Sequence, residues 1–256
     1  MPKLICITGA KGGIGKTTSA LNLAMAMRDF GEDVLLIDSN LSTPNIGLHL
    51  GIPSVPVSLH HVLKGKKNVK DAIYNHKSGI KIVPGSIAVE DINAKAEKLS
   101  YILKELKSHA DVVIVDSAAG FGEDSLAALK AADEVLIVTN PEIPAVTEAL
   151  KTVKLAEKLK KKIIGVLLTR IGRGKSMNIE DVEAMIDLPV IGKIPEDDAV
   201  KSALHAKRPV VHHAPLSKAG LNYKKVANKI IGENYISILD EEAMFQRVLR
   251  KLGIIR

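Results

Sequence analysis

The chain has 256 residues, 46% of them hydrophobic and 25% charged, enough to bury a substantial core as one large or two small domains. No apolar run reaches the roughly 18 residues of a membrane-spanning helix, and the lone cysteine, Cys6, excludes an internal disulfide and a cysteine-held zinc or iron–sulfur centre. The net charge of +7 favours an acidic partner, either nucleic acid or an anionic membrane surface.

The first apolar run, 4–8, opens close behind Met1, which leaves no room for a signal peptide and sets a cytoplasmic expectation. Further runs rich in Ile and Val follow at 34–38, 80–83, 112–116, 135–139, 163–168 and 190–191. They are continuous rather than alternating, the pattern of strands covered on both faces of a parallel sheet. Helical patterns fill most of the intervals, at 17–30, 99–109, 124–132, 145–160 and 179–185, and two more follow at 197–206 and 218–232. Strand and helix in alternation predict a doubly wound α/β sheet, mostly parallel, with helices on both faces. Nothing in 1–232 reads as a linker or repeat, so that span is expected to be one domain, with 233–256 a separate linker and terminal helix. Lys158, Lys160, Lys161 and Lys162 are expected to complement the macrodipole at a helix C-terminus. The adjacent pairs His60-His61 and His212-His213 are not read as metal sites, because neighbours on a helix do not share a face and no Cys or acid cluster accompanies them.

Between the first strand and the first helix lies Gly9-Ala10-Lys11-Gly12-Gly13-Ile14-Gly15-Lys16-Thr17-Thr18. A glycine-rich turn in that setting is what a phosphate-binding loop needs. The backbone N–H groups of Gly12, Gly13, Ile14 and Gly15 can curl round phosphate oxygens, and the helix N-terminus adds a positive dipole end. Lys16 is assigned to the β and γ phosphates of ATP, Thr17 to Mg²⁺ and Thr18 to the α phosphate. The strict G-x-x-x-x-G-K-[ST] pattern fails at one position, where Ala10 replaces its first glycine. Asp116 ends a wholly apolar run beside the expected phosphates and is the first candidate Mg²⁺ ligand; Asp38, at the end of a neighbouring run, is the second. Both also stand where strand-end aspartates cap helices and turns.

The run from Lys11 to Thr18 resembles the deviant Walker A motif of the MinD/ParA family of ATPases, whose pattern begins at that first lysine. Val34-Leu35-Leu36-Ile37-Asp38-Ser39-Asn40-Leu41 is similar to the family's second strand and switch I. Val112-Val113-Ile114-Val115-Asp116-Ser117-Ala118-Ala119-Gly120 is similar to its Walker B strand and switch II. Val138-Thr139-Asn140-Pro141-Glu142, Leu167-Leu168-Thr169-Arg170 and Gly192-Lys193-Ile194-Pro195-Glu196-Asp197 also resemble MinD, archaeal MinD proteins above all. The resemblance implies a homodimer that sandwiches two ATP molecules, with Lys11 reaching the partner's phosphates. It implies a catalytic set of Lys11, Lys16, Asp38 and Asn40, and places Thr169, Arg170 and Pro195 near the nucleotide base.

The chain departs from its relatives at Asn40, where they usually carry a second switch I aspartate linked to hydrolysis. An amide cannot act as a general base, though it can orient water, so slow hydrolysis is expected. The tail is the other informative segment. At about 100° per residue, Met244, Phe245, Val248, Leu249, Leu252 and Ile255 fall within an arc of about 140°, opposite Gln246, Arg247, Arg250 and Lys251. That is a basic amphipathic helix of the interfacial kind, similar to the membrane-targeting helix that ends MinD proteins. Residues 240–256 are therefore expected to bring the cytoplasmic protein reversibly to the inner face of the cell membrane. A MinD-like positioning ATPase with a further protein partner is the leading expectation. The alternative is a ParA-like partitioning ATPase that binds DNA non-specifically.

Overall fold

The computed structural model describes residues 1–91, 94–172 and 176–232. The terminal helix expected within 240–256, and the linker before it, lie outside the described residues. Among the described residues, eight strands form one sheet: β1 (Lys3–Thr8), β2 (Val34–Asp38), β3 (Tyr74–Asn75), β4 (Lys81–Val83), β5 (Val112–Asp116), β6 (Glu134–Thr139), β7 (Lys162–Ile171) and β8 (Val190–Pro195). Their order is β3-β4-β2-β5-β1-β6-β7-β8, and every neighbouring pair is parallel except β3 with β4. This is the doubly wound, mostly parallel sheet that the strand–helix alternation predicts.

The continuous apolar runs serve two cores at once. Leu4 and Cys6 of β1 and Leu35 and Ile37 of β2 point into one face. That face packs against α3 (Leu59–Leu63), α4 (Leu99–Leu106), α5 (Glu123–Ala131), α6 (Ile143–Lys158) and α7 (Ile179–Ile186). Ile5 and Ile7, with Val34 and Leu36, point into the other face. There they meet α1 (Lys16–Asp29), α2 (Ile46–Leu50), α8 (Asp198–His205), α9 (Val210–His213) and α10 (Lys218–Ile231). Because side chains alternate along a strand, covering both faces requires apolar residues at every position. The helix α1 is buried almost all round, because α10 covers the side turned away from the sheet.

The differences from the sequence expectation are local. β7 and β8 run longer than the apolar runs that mark them, and α2, α3, α9 and β3 are added. Helix α3 starts with a capping box in which His61 fills the position usually held by Glu or Gln; its Nδ1 accepts the Ser58 N–H at 3.0 Å. The lysine run at the end of α6 serves a neighbouring helix as well. Lys161 Nζ donates to the carbonyls of Lys130 and Ala132, at 2.7 and 2.8 Å, and so satisfies the C-terminus of α5.

Chain direction places the site. From β1 the chain winds outward on one side to β2 and β4, then returns through β5 and crosses to β6 and β7 on the other. The strand order therefore reverses at β1, and its C-terminal end opens into the crevice where such sheets bind ligands.

Candidate functional site

β1 delivers the chain into the loop 9–15, and α1 carries it away. Gly13 and Gly15 take positive φ, 74° and 92°, conformations that cost a side-chain-bearing residue energy. Gly9 answers a different need. A Cβ there would fall inside contact distance of the Val138 carbonyl and 2.6 Å from Ile14 Cδ1, so the loop lies directly on the end of β6. The glycine this packing requires is one residue before the position where Ala10 breaks the strict pattern. Thr169, near the end of β7, braces the loop from below: its hydroxyl lies 2.6 Å from the Ile14 carbonyl and 2.9 Å from Asn140 Oδ1.

Asp38 and Asp116 are register partners at the ends of β2 and β5, both fully buried, beside the start of α1. The Thr17 hydroxyl donates to Asp116 Oδ2 at 2.6 Å. The other oxygen, Oδ1, is buried and has no partner among the described residues. Burial, reinforced by the charge of Asp38, pushes the Asp116 carboxyl up to about 8. A buried carboxylate with one orphaned oxygen calls for a cation. The Thr17 hydroxyl and Asp116 Oδ1 are two hard oxygen donors, the type Mg²⁺ takes, so the residues present fit that ion.

Asp38 is spent differently. Its Oδ1 accepts the Asn40 N–H at 3.3 Å, and its Oδ2 accepts those of Asn45 and Ile46 at 2.8 and 2.9 Å. It therefore organises the loop 39–45 and the start of α2. Burial raises its carboxyl to about 6, against the pull of those three N–H groups. Asn40 is turned toward its own loop, with Nδ2 donating to Thr43 Oγ1 at 2.9 Å and Oδ1 accepting the Thr43 N–H at 3.1 Å.

The two loop lysines differ in environment. Lys16 is buried, and its Nζ donates to the Lys11 carbonyl at 3.2 Å, which folds the ammonium back over the loop. Burial lowers its pKa, opposed by the charge of Asp116. Lys11 stands at the rim, 44% exposed, with its Nζ 3.2 Å from Glu142 Oε2. An exposed pair of this kind contributes between about 0 and 1 kcal/mol, so the lysine is held only loosely. Beside Gly15 and Thr18 opens a cavity of about 230 Å³, walled by Leu21, Ile194, Pro195 and Tyr223, with Arg170 on its lining. The structure thus gathers Lys11 to Thr18, Asp38 and Asp116 at one crevice and leaves the Asn40 side chain on Thr43. Thr169, Arg170 and Pro195, expected near the nucleotide base, all line this cavity. The bracing role of Thr169, its partner Asn140 and Glu142 beside Lys11 were not singled out from sequence, although all three sit in segments that resemble MinD.

Residues 2–166 match a protein family described as an AAA domain. An uncharacterised ATP-binding protein of Methanocaldococcus jannaschii is 36% identical over 233 residues, covering 90% of this chain and 88% of its own. Among solved structures, the cell division ATPase MinD of Pyrococcus furiosus is similar with a TM-score of 0.88 at 35% identity, over 91% of this chain and 99% of that one. The septum site-determining protein MinD of Pyrococcus horikoshii, complexed with Mg-ADP, follows at 0.87 and 33%, over 90% of this chain and 96% of its own. A phosphate loop opened by Lys11, set at the switch point of this sheet and shared with relatives along nine-tenths of the chain, decides the matter: the chain belongs to the MinD/ParA family of P-loop ATPases.

Proposed function

We propose that the protein is a MinD-like switch that binds Mg²⁺–ATP, pairs with a second copy when ATP is bound, and so controls its own residence at a membrane, where it positions other proteins. The loop N–H groups and Lys16 hold the phosphates, and Thr17 and Asp116 hold the ion. When bound, Mg²⁺ neutralises charge on the phosphate oxygens. The base takes the cavity beside Thr18, and Thr169 keeps the loop in shape. Asn40 leaves Thr43 to orient the attacking water. Lacking a carboxylate there, the protein hydrolyses ATP slowly, and the ATP-bound pair is long-lived.

The observation that carries this reading is the place of Lys11. It stands at the mouth of an anionic site on a weak ion pair, free to exchange Glu142 for the phosphates of a facing copy. Light scattering in ADP and in ATP tests it. The parent is expected to be a monomer in ADP and a dimer in ATP, and Lys11→Ala a monomer in both; pairing that survives Lys11→Ala defeats the reading. The same samples report turnover, which Asn40→Asp is expected to raise. The ParA-like reading rests on the net charge of +7. It predicts ATP-dependent, salt-sensitive retention of DNA by the dimer.

A further inference from the structure

His60 belongs to neither the phosphate loop nor the strand ends, yet it is fully buried and both of its ring nitrogens are engaged. Nδ1 accepts the Ser86 N–H at 3.0 Å, so it carries a lone pair. Nε2, 2.9 Å from the Leu41 carbonyl, is then the protonated nitrogen and donates to it. Leu41 directly follows Asn40. The loop carrying them is thus gripped twice, by Asp38 through the N–H groups of Asn40, Asn45 and Ile46, and by His60 through one carbonyl. Packing leaves little slack between these grips. Pro44 sits so close over Gly85 that a Cβ on Gly85 would strike the proline ring, with His60 Cε1 3.4 Å away.

We infer that His60 is a positioning residue for ATP hydrolysis: by donating to the Leu41 carbonyl, it fixes the stretch of backbone from which Asn40 presents its side chain to the attacking water. The inference rests on the proposed role of Asn40. A histidine serving only to satisfy two buried backbone groups has the same hydrogen bonds, so the test must separate its two nitrogens. An asparagine amide oxygen reaches the place of Nδ1 and keeps the Ser86 contact while losing Leu41. A glutamine amide nitrogen reaches the place of Nε2 and keeps Leu41 while losing Ser86.

The experiment measures kcat and KM for ATP, with melting temperature, on full-length His60→Asn, His60→Gln, Asn40→Ala and the double variant His60→Asn/Asn40→Ala. A lost neutral hydrogen bond in a positioning role lowers kcat by up to roughly tenfold. His60→Asn is therefore expected to lose about that much kcat, while its KM stays within roughly twofold of the parent's. His60→Gln is expected to hold kcat within roughly twofold despite a similar fall in melting temperature. In the Asn40→Ala background, His60→Asn is expected to add no further loss, because both act through one group. Equal kcat losses in the Asn and Gln variants, following stability alone, overturn the assignment. If His60→Asn does not fold, His60→Gln decides, and a kcat loss beyond roughly tenfold in that folded protein overturns it. If Asn40→Ala turns over like the parent, the reading of Asn40 has failed. The contrast between His60→Gln and His60→Asn still reports whether Leu41 is held for catalysis.

Discussion

Asp116 is costly to the protein as a bare buried carboxylate. Its carboxyl is held at about 8 in the fold against an ordinary value of 3.8, because burial and the neighbouring Asp38 oppose its charge. A folded-state value above the unfolded one means that the fold binds the extra proton. Its contribution to stability is full below about pH 4 and is lost as pH rises through about 8. Asp116→Asn should remove this dependence, since an amide oxygen still accepts from Thr17 and carries no charge. The nucleotide-free variant is expected to melt higher than the parent at pH 8, by roughly 2–4 °C for each kcal/mol relieved. It should also lose the stabilisation that Mg²⁺ and ATP together give the parent. A lower melting point for the variant at pH 8 would refute the cost assigned to this carboxylate. Sequence placed both aspartates at strand ends but could not divide their labour. That division depends on Asn45 and Ile46 turning their N–H groups back onto Asp38, a fold of the loop that no periodicity reports. The role proposed for His60 was equally illegible, because its partners Leu41 and Ser86 lie 19 and 26 residues away in the chain.

At the scale of elements, the strands and long helices were legible because burial on both faces writes a continuous apolar signature. The region 46–75 was not. Its helices α2 and α3 are five residues each and β3 is two, too short for a period to declare itself. Besides its apolar contacts with the core, α3 is fastened by polar contacts just beyond and along it. Lys64 Nζ lies 2.6 Å from Asp91 Oδ1, and His61 Nε2 lies 3.4 Å from Oδ2, with Asp91 almost fully buried. The Lys64 hydrogen bond, above all, pulls the Asp91 carboxyl down to about 2. A depressed carboxylate stabilises the fold above its unfolded pKa and loses that contribution as pH falls, here between about 4 and about 2. Acid titration of stability should therefore be shallower in Asp91→Asn than in the parent across that window, and the variant should be less stable at neutral pH. Parallel acid curves would show that the pair does not anchor the helix. Because α3 also carries His60, the same variant should loosen the loop at Leu41, visible as faster amide exchange there.

Across the described residues, the phosphate loop and the end of α10 lie at opposite ends of the strands. The helix α10 closes at Ile231, next to Met1, Lys3 and Asp111, at the N-terminal edge of the strands. The phosphate loop lies beyond the other end of β1, a strand of six residues, which at about 3.3 Å each puts it roughly 20 Å away. A nucleotide on that loop would therefore not reach the end of α10, and under the proposed function pairing of two chains is the route by which ATP would act on the tail. A single short amphipathic segment binds a membrane weakly, whereas two on one rigid dimer bind with an avidity gain on the order of 10²–10⁴. Full-length protein should accordingly sediment with anionic liposomes in ATP and stay in solution in ADP. Lys11→Ala should bind weakly in either nucleotide, because it keeps a tail but cannot pair. A chain truncated before residue 240 should dimerise in ATP and still fail to sediment. If Lys11→Ala sediments as well as the parent, a single tail suffices and ATP has no hold on membrane residence. If the truncated dimer sediments, the folded domain carries the membrane contact, and the tail must be assigned another role.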